Sequence, residues 1–262
     1  MLNIEPDDSV NAMLRLRGLN DEEFVNSHYV VFATKNGTIK KTCLEAYSRP
    51  RTNGVNAINI VEGDEVVDVR LTNGKNEIIL ANRNGRAVRF DENTVRSMGR
   101  VSTGVRGMQL DGDDDQVVGM IIVNNAETET VMVVSENGYG KRSQVEDYRK
   151  TNRGGKGVKT FSITDKTGRL VAIKNVTDDN DLMIINKSGI AIRLAVSDCR
   201  VMGRATQGVR LINLSKKNDV IASVCKVMSS ELEAKLADDN SATEPEATEA
   251  TEAKETNPEN EK

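Results

Sequence analysis

Short β-branched apolar runs, each closed by a glycine turn, recur along the chain. Tyr29-Val-Val-Phe-Ala33 runs into Asn36-Gly37, and Glu77-Ile-Ile-Leu-Ala81 into Asn84-Gly85. Thr130-Val-Met-Val-Val134 runs into Asn137-Gly138, and Asp181-Leu-Met-Ile-Ile185 into Ser188-Gly189. A cation-bearing run follows each turn: Ile39-Lys40-Lys41, Ala87-Val88-Arg89, Gly140-Lys141-Arg142 and Ala191-Ile192-Arg193. An apolar run, a two-residue Asn-Gly turn and a second run form a strong short-range hairpin signal.

The register extends beyond the hairpins. A Gly-Val pair lies 17 residues after the first turn glycine (Gly54-Val55) and 19 after the others (Gly104-Val105, Gly157-Val158, Gly208-Val209). Further apolar runs follow at Val66–Val69, Val117–Met120, Leu170–Ile173 and Val220–Ser223. The turn glycines are 48, 53 and 51 residues apart. Four strand signals per unit at this period predict an all-β, bladed, propeller-like fold rather than a helical solenoid. No long helix is expected between residues 1 and 228.

The repeats fall at about 28–76, 77–127, 128–178 and 179–228. Leu2-Asn3-Ile4 and the residues to Leu14 resemble the second half of a repeat, as in Ile58-Asn59-Ile60 to Val69. Residues 1–27 therefore read as the remnant of an incomplete first blade plus a polar connector, so that 1–228 form one domain. From residue 229 to 262 the chain carries eleven Asp or Glu against three Lys and few bulky apolar residues. Such a segment cannot bury enough surface to order itself, and a disordered acidic tail is expected.

Charge changes the picture once it is divided. The whole chain is −4 and the tail is −8, which leaves a body of about +4. Cys43, Cys199 and Cys225 are widely spaced, and His28 stands alone, which argues against a zinc site and for buried or half-buried thiols in a reducing compartment. No 18-residue apolar run and no basic-apolar leader is present, so a cytoplasmic protein is expected. His28 reads as a strand-edge residue rather than a base, and no pair of carboxylates suggests general acid–base chemistry.

The cations gather in the links between the second run and the Gly-Val pair. The richest link, Arg149 to Lys159, places Arg149, Lys150, Arg153, Lys156 and Lys159 around Gly154-Gly155 and Gly157. The other links carry Arg49 and Arg51, Arg96 and Arg100, and Arg200 and Arg204. With Arg86 and the hairpin cations Lys40, Lys41, Arg89, Lys141, Arg142 and Arg193, these form the candidate contact set. A cation repeated once per blade lies on one rim, and a curved basic rim suits the phosphates of a bent duplex. Few aromatics and no recognition helix leave base stacking and major-groove reading without means, so binding is expected to be non-specific.

Asn36-Gly-Thr-Ile-Lys-Lys-Thr42, Val95-Arg-Ser-Met-Gly99, Thr103-Gly-Val-Arg-Gly107, Asn137-Gly-Tyr-Gly-Lys-Arg142 and Thr206-Gln-Gly-Val209 resemble the C-terminal domain of bacterial DNA gyrase A. The resemblance runs through residues 1–228. It implies a β-pinwheel of about five to six four-stranded blades that exchange strands and wrap double-stranded DNA around a basic edge. It also implies the rest of gyrase A, together with gyrase B, as partners in ATP-dependent negative supercoiling. The family's hallmark box, Gln-Arg-Arg-Gly-Gly-Lys-Gly, is matched only by Arg153-Gly-Gly-Lys-Gly157, where Thr151-Asn152 replace Gln-Arg, and it lies in the third complete repeat. The catalytic tyrosine and its arginine partner have no counterpart here, and ATP and Mg are expected on other parts of the holoenzyme, with no cofactor bound by this chain. The related C-terminal domain of topoisomerase IV is the near alternative, and a propeller serving as a protein-interaction platform is the distant one.

Overall fold

The computed structural model describes residues 9–16, 18–51, 53–214 and 219–229. The acidic tail and the first eight residues lie outside these. One short helix, α1 (Glu22–Ser27), opens at Asp21, whose carboxylate accepts from the Glu23 and Phe24 amides. Everything else regular among the described residues is strand or 3-10 turn. The first repeat supplies β1 (Tyr29–Thr34), β2 (Thr38–Cys43) and β3 (Val66–Thr72). The second supplies β4 (Glu77–Asn82), β5 (Arg86–Asp91), β6 (Val105–Arg106) and β7 (Val117–Val123). The third supplies β8 (Thr130–Ser135), β9 (Tyr139–Gln144), β10 (Val158–Lys159) and β11 (Leu170–Val176), and the fourth β12 (Asn180–Asn186), β13 (Ala191–Ala195), β14 (Val209–Arg210) and β15 (Ile221–Met228).

These strands make four antiparallel sheets, in the orders β3-β1-β2-β6, β7-β4-β5-β10, β11-β8-β9-β14 and β15-β12-β13. Each outer strand comes from the following repeat: β6 pairs with β2, β10 with β5 and β14 with β9. The all-β, strand-exchanging pinwheel is as the sequence implied. The described residues hold four sheets rather than five to six blades, and the fourth has three strands. Gly54-Val55, expected to be a strand like its three equivalents, is unpaired, because no described strand precedes β1 to receive it.

The hairpins differ from the two-residue expectation in one detail. Gly37 N–H bonds to the Thr34 carbonyl, and Ala33 pairs with Ile39. The loop is therefore three residues, Lys35-Asn36-Gly37, with Gly37 at φ 86°. The Gly37 carbonyl then accepts from the amides of Gly107 and Met108 in the next repeat. The carbonyls of Gly85 and Gly138 repeat the arrangement with Thr160 and Phe161, and with Leu211 and Ile212.

The pleat explains why the central strands read as unbroken apolar runs. Val31 and Ala33 face the second sheet, where they meet Ile78, Leu80, Phe90 and Met120. Ile79 and Ala81, on the other side of β4, meet Val131, Val133, Tyr148 and Phe161 of the third sheet. Met132 and Val134 meet Leu182 and Ile184 of the fourth. Alternate residues thus serve two cores, and both faces are buried. On the free face of the first sheet, Val30 and Phe32 are covered by Val25 of α1 with Leu14, Leu16 and Leu19. Leu14, Leu16 and Leu19 with α1 therefore cover that sheet, and the described residues 9–16 form no strand. His28 caps α1 and directly precedes β1, with its carbonyl accepting from the Leu44 amide; its Nδ1 lies 2.9 Å from the Phe24 carbonyl. Cys199 is buried and Cys43 half-buried, but Cys225 is exposed, contrary to expectation.

Candidate nucleic-acid interface

The candidate cations divide into two populations. Lys40, Lys41, Arg89, Lys141 and Arg142 are buried, at 0–6 % exposure, and do not lie on the rim as expected. The pleat turns Lys41, Arg89 and Arg142 toward the next repeat, where backbone carbonyls need donors. Lys41 Nζ donates to the Glu92 carbonyl at 3.0 Å. At the equivalent position Arg89 Nη1 donates to the carbonyls of Val145 (2.9 Å) and Tyr148 (3.1 Å). Arg142 Nη1 does the same to Val196 (3.0 Å) and Cys199 (3.3 Å). Each guanidinium or ammonium ties a hairpin to the 3-10 turn of the following repeat, Glu92–Thr94, Val145–Asp147 or the bend near Cys199. The repeat of charge that looked like a phosphate track is, at this position, a blade-to-blade latch.

Lys40 and Lys141 form a second latch. Lys40 Nζ donates to the Ala57 and Arg100 carbonyls, and Lys141 Nζ to the Gly203 carbonyl at 2.7 Å. Burial, then the charge of Arg100, brings the Lys40 pKa down to about 8. Burial, with Arg204 and Lys159 adding to it and Asp147 opposing, brings Lys141 down to about 7. A third set is half-buried and also structural. Arg153 Nη1 donates to the Arg106 carbonyl at 2.8 Å, and Arg204 Nη1 to the Lys159 carbonyl at 2.6 Å. These acceptors are equivalent residues of β6 and β10.

The outward population is larger, but part of it is held by carboxylates. Arg49, Arg51, Arg96, Arg149, Lys150, Lys156, Lys159, Arg193 and Arg200 are exposed, while Arg86 and Arg100 are half-buried. Lys150 is held by Glu77 at 2.8 Å and Asp91 at 3.5 Å, and the hydrogen bond to Glu77 raises its pKa. Lys156 and Arg86 share Asp111, at 2.6 and 3.4 Å, and the bond from Lys156 keeps that carboxyl below its ordinary value. Arg193 is paired with Asp181. Arg96, Arg149 and Arg200 have no such partner among the described residues and occupy one repeat position, the residue before the bridges Lys41–Ser97, Arg89–Lys150 and Arg142–Val201.

A second outward row joins them. The residue after each paired Gly-Val is Arg106, Lys159 or Arg210, exposed on β6, β10 and β14. Only Lys159 belongs to the set expected from sequence; Arg106 and Arg210 lie outside the cation-rich links that defined it. Their signal was present all the same, a cation directly after each Gly-Val. Register places these side chains opposite Thr38, Arg86 and Tyr139 at the outer edge of successive sheets. Arg210 lies over the Tyr139 ring and hydrogen-bonds its hydroxyl at 2.9 Å. The outer edge thus presents Arg96, Arg149 and Arg200 on the links and Arg106, Lys159 and Arg210 on the strands, at one interval per sheet. Among the described residues no cluster of three His, Cys, Asp or Glu could hold a metal ion, and no helix is long and apolar enough to cross a membrane.

Known proteins share this geometry and much of the sequence. The chain is 42% identical over 226 residues to DNA gyrase A of Staphylococcus aureus strain MRSA252, covering 86% of this chain and 25% of that protein. The chain therefore spans about a quarter of the length of that relative. Among solved structures, the C-terminal domain of DNA topoisomerase IV superposes with a TM-score of 0.73 at 29% identity, over 81% of this chain and 67% of that one. A DNA gyrase A C-terminal domain superposes with a TM-score of 0.76 over 87% of this chain and 73% of that one; at 24% identity it supports the fold. The family described as DNA gyrase C-terminal domain, beta-propeller, matches residues 28–73, 76–124, 129–177 and 180–225, one match for each repeat. The four matches together cover most of the chain, which belongs to the DNA gyrase C-terminal domain family.

Proposed function

We propose that this chain binds double-stranded DNA without sequence preference and bends it around the outer edges of successive sheets, in support of negative supercoiling by a gyrase. The observation that carries the reading is the pair of outward cation rows, Arg96, Arg149 and Arg200 with Arg106, Lys159 and Arg210, repeated once on each of the first three sheets, on the side where strands are exchanged. Phosphates supply affinity, and the protein offers backbone-directed charge rather than base readers. Bending 20–30 base pairs by 40–90° costs on the order of 1–6 kcal/mol, which contacts from several sheets can offset. The rest of gyrase A, with gyrase B, would supply cleavage, ATP hydrolysis and strand passage.

Wrapping is tested by ligating a nicked circle in the presence of the chain and measuring linking number. A shift that grows with protein and is lost when the six outer cations are neutralised supports the reading. An unchanged linking number at saturating protein contradicts wrapping and leaves binding alone.

A further inference from the structure

The strands that pack sheet on sheet, β3, β7, β11 and β15, also line a polar cavity of about 400 Å³ near their carboxyl ends. Arg70 comes from β3, Lys174 and Asn175 from β11, and Cys225 and Lys226 from β15, with Asn124 just past β7. Register puts Arg70, Lys174 and Cys225 at one level, since their partners Val31, Met132 and Met183 are equivalent. Lys226 lies one residue further along. Three cations from three sheets therefore converge at the inner edge, three strands and roughly 14 Å from the outer rows.

The carboxylates nearby are engaged, and the ammoniums are not. Asp68 takes Arg70 in an ion pair at 3.1 Å. Glu129 accepts from the Asn124 amide, the Asn124 side chain and the Asn175 side chain, at 3.0–3.3 Å. Among the described residues neither Lys174 nor Lys226 has a hydrogen-bond or ion-pair partner for its ammonium. Burial lowers the pKa of both lysines, with Asp68 opposing at Lys174 and Glu129 at Lys226. Lys174 is half-buried, where a charge without a partner is costly unless something supplies the counter-charge, and Lys226 stands exposed at the mouth of the cavity.

We propose that this inner cavity binds a compact polyanion of the triphosphate class, seated between Lys174, Lys226 and Arg70. Two ammoniums on neighbouring strands call for more than one anionic group, and the volume exceeds that of a single phosphate. The site is separate from the outer rows and does not depend on the DNA-binding reading.

Cys225 provides the readout, because it lines the cavity and is exposed while Cys199 is buried. The full chain is alkylated with neutral iodoacetamide while tripolyphosphate is titrated at constant ionic strength. Labelling of Cys225 is expected to slow saturably. Lys174→Met and Lys226→Met are each expected to weaken that protection about tenfold, the loss of one charge-assisted contact, with duplex DNA affinity unchanged. Continued inertness of Cys199 reports that the variants are folded. No protection, or equal protection in the variants, overturns the proposal. So does a Cys225 that is shielded without added anion and becomes reactive once residues 230–262 are removed, because the occupant would then be the chain's own carboxylates.

Discussion

Arg89 donates to the Tyr148 carbonyl at 3.1 Å across the boundary between the second and third sheets. The same guanidinium reaches the Val145 carbonyl and pairs with Glu77 and Glu146. It is a buried charge with its donors occupied, so removing it strands the Val145 and Tyr148 carbonyls and leaves Glu77 with Lys150 alone. Arg89→Ala is expected to lower stability by about 3 kcal/mol in urea unfolding. At temperatures where it stays folded, its affinity for duplex DNA is expected to change little. A variant as stable as the parent but poor in DNA binding would return Arg89 to the interface.

The strand exchange depends on close backbone approach. Gly157 has φ 72°, and a Cβ there would lie 2.2 Å from the Ala87 carbonyl oxygen of the preceding repeat. Neither strain nor clash can be relieved by a side chain moving aside. Gly157→Ala is expected to cost more than about 1 kcal/mol, the usual penalty for a left-handed non-glycine. The cost should appear as faster amide exchange in β10 and its partner β5. Unchanged protection would show that the pairing tolerates displacement.

The Lys141 pKa is about 7 when folded, against about 10.4 in an unfolded chain. Between those values the unfolded state binds more protons, so this group makes stability rise with pH, at up to ~1.4 kcal/mol per unit, and the gain is lost as pH falls through 7. Burial raises the Cys199 thiol and acts in the opposite sense above its ordinary range, and Tyr148, raised to about 12, does so above pH 10. The difference in unfolding free energy between the parent and Lys141→Met cancels those other titrations. Relative to the variant, the parent should gain stability from pH 7 to 9.5. A difference independent of pH would contradict the burial of the amine.

The fold was legible because each hairpin carries its own punctuation. Asn36-Gly37 and its equivalents set the loops, and Ile78-Ile79-Leu80 announced a strand. The exchange of β6, β10 and β14 was implied by the family resemblance but was not legible in the repeat pattern itself. A Gly-Val pair looks the same whether it joins its own sheet or its neighbour's, and only register decides. The site was half legible. Periodicity located the cations, but it cannot distinguish Lys41, turned inward onto the Glu92 carbonyl, from Arg106, turned outward on β6. Two residues along a strand keep the same face, whereas Lys40 and Lys41 point to opposite sides and both find carbonyls. A repeated charge is as useful for holding blades together as for holding a partner.

If the outward rows, and not the latches, carry DNA affinity, the difference must appear in salt dependence. The direct measurement is duplex affinity against salt for the parent and for Arg96→Gln, Arg149→Gln and Arg200→Gln combined. Log K should fall linearly with log salt, with a slope of about −0.9 per phosphate contact. The triple variant should unfold within about 0.5 kcal/mol per site of the parent, and its slope should be shallower by about 2.7. A flat line for the parent, or the same slope in both proteins, would contradict the assignment of affinity to the outward rows.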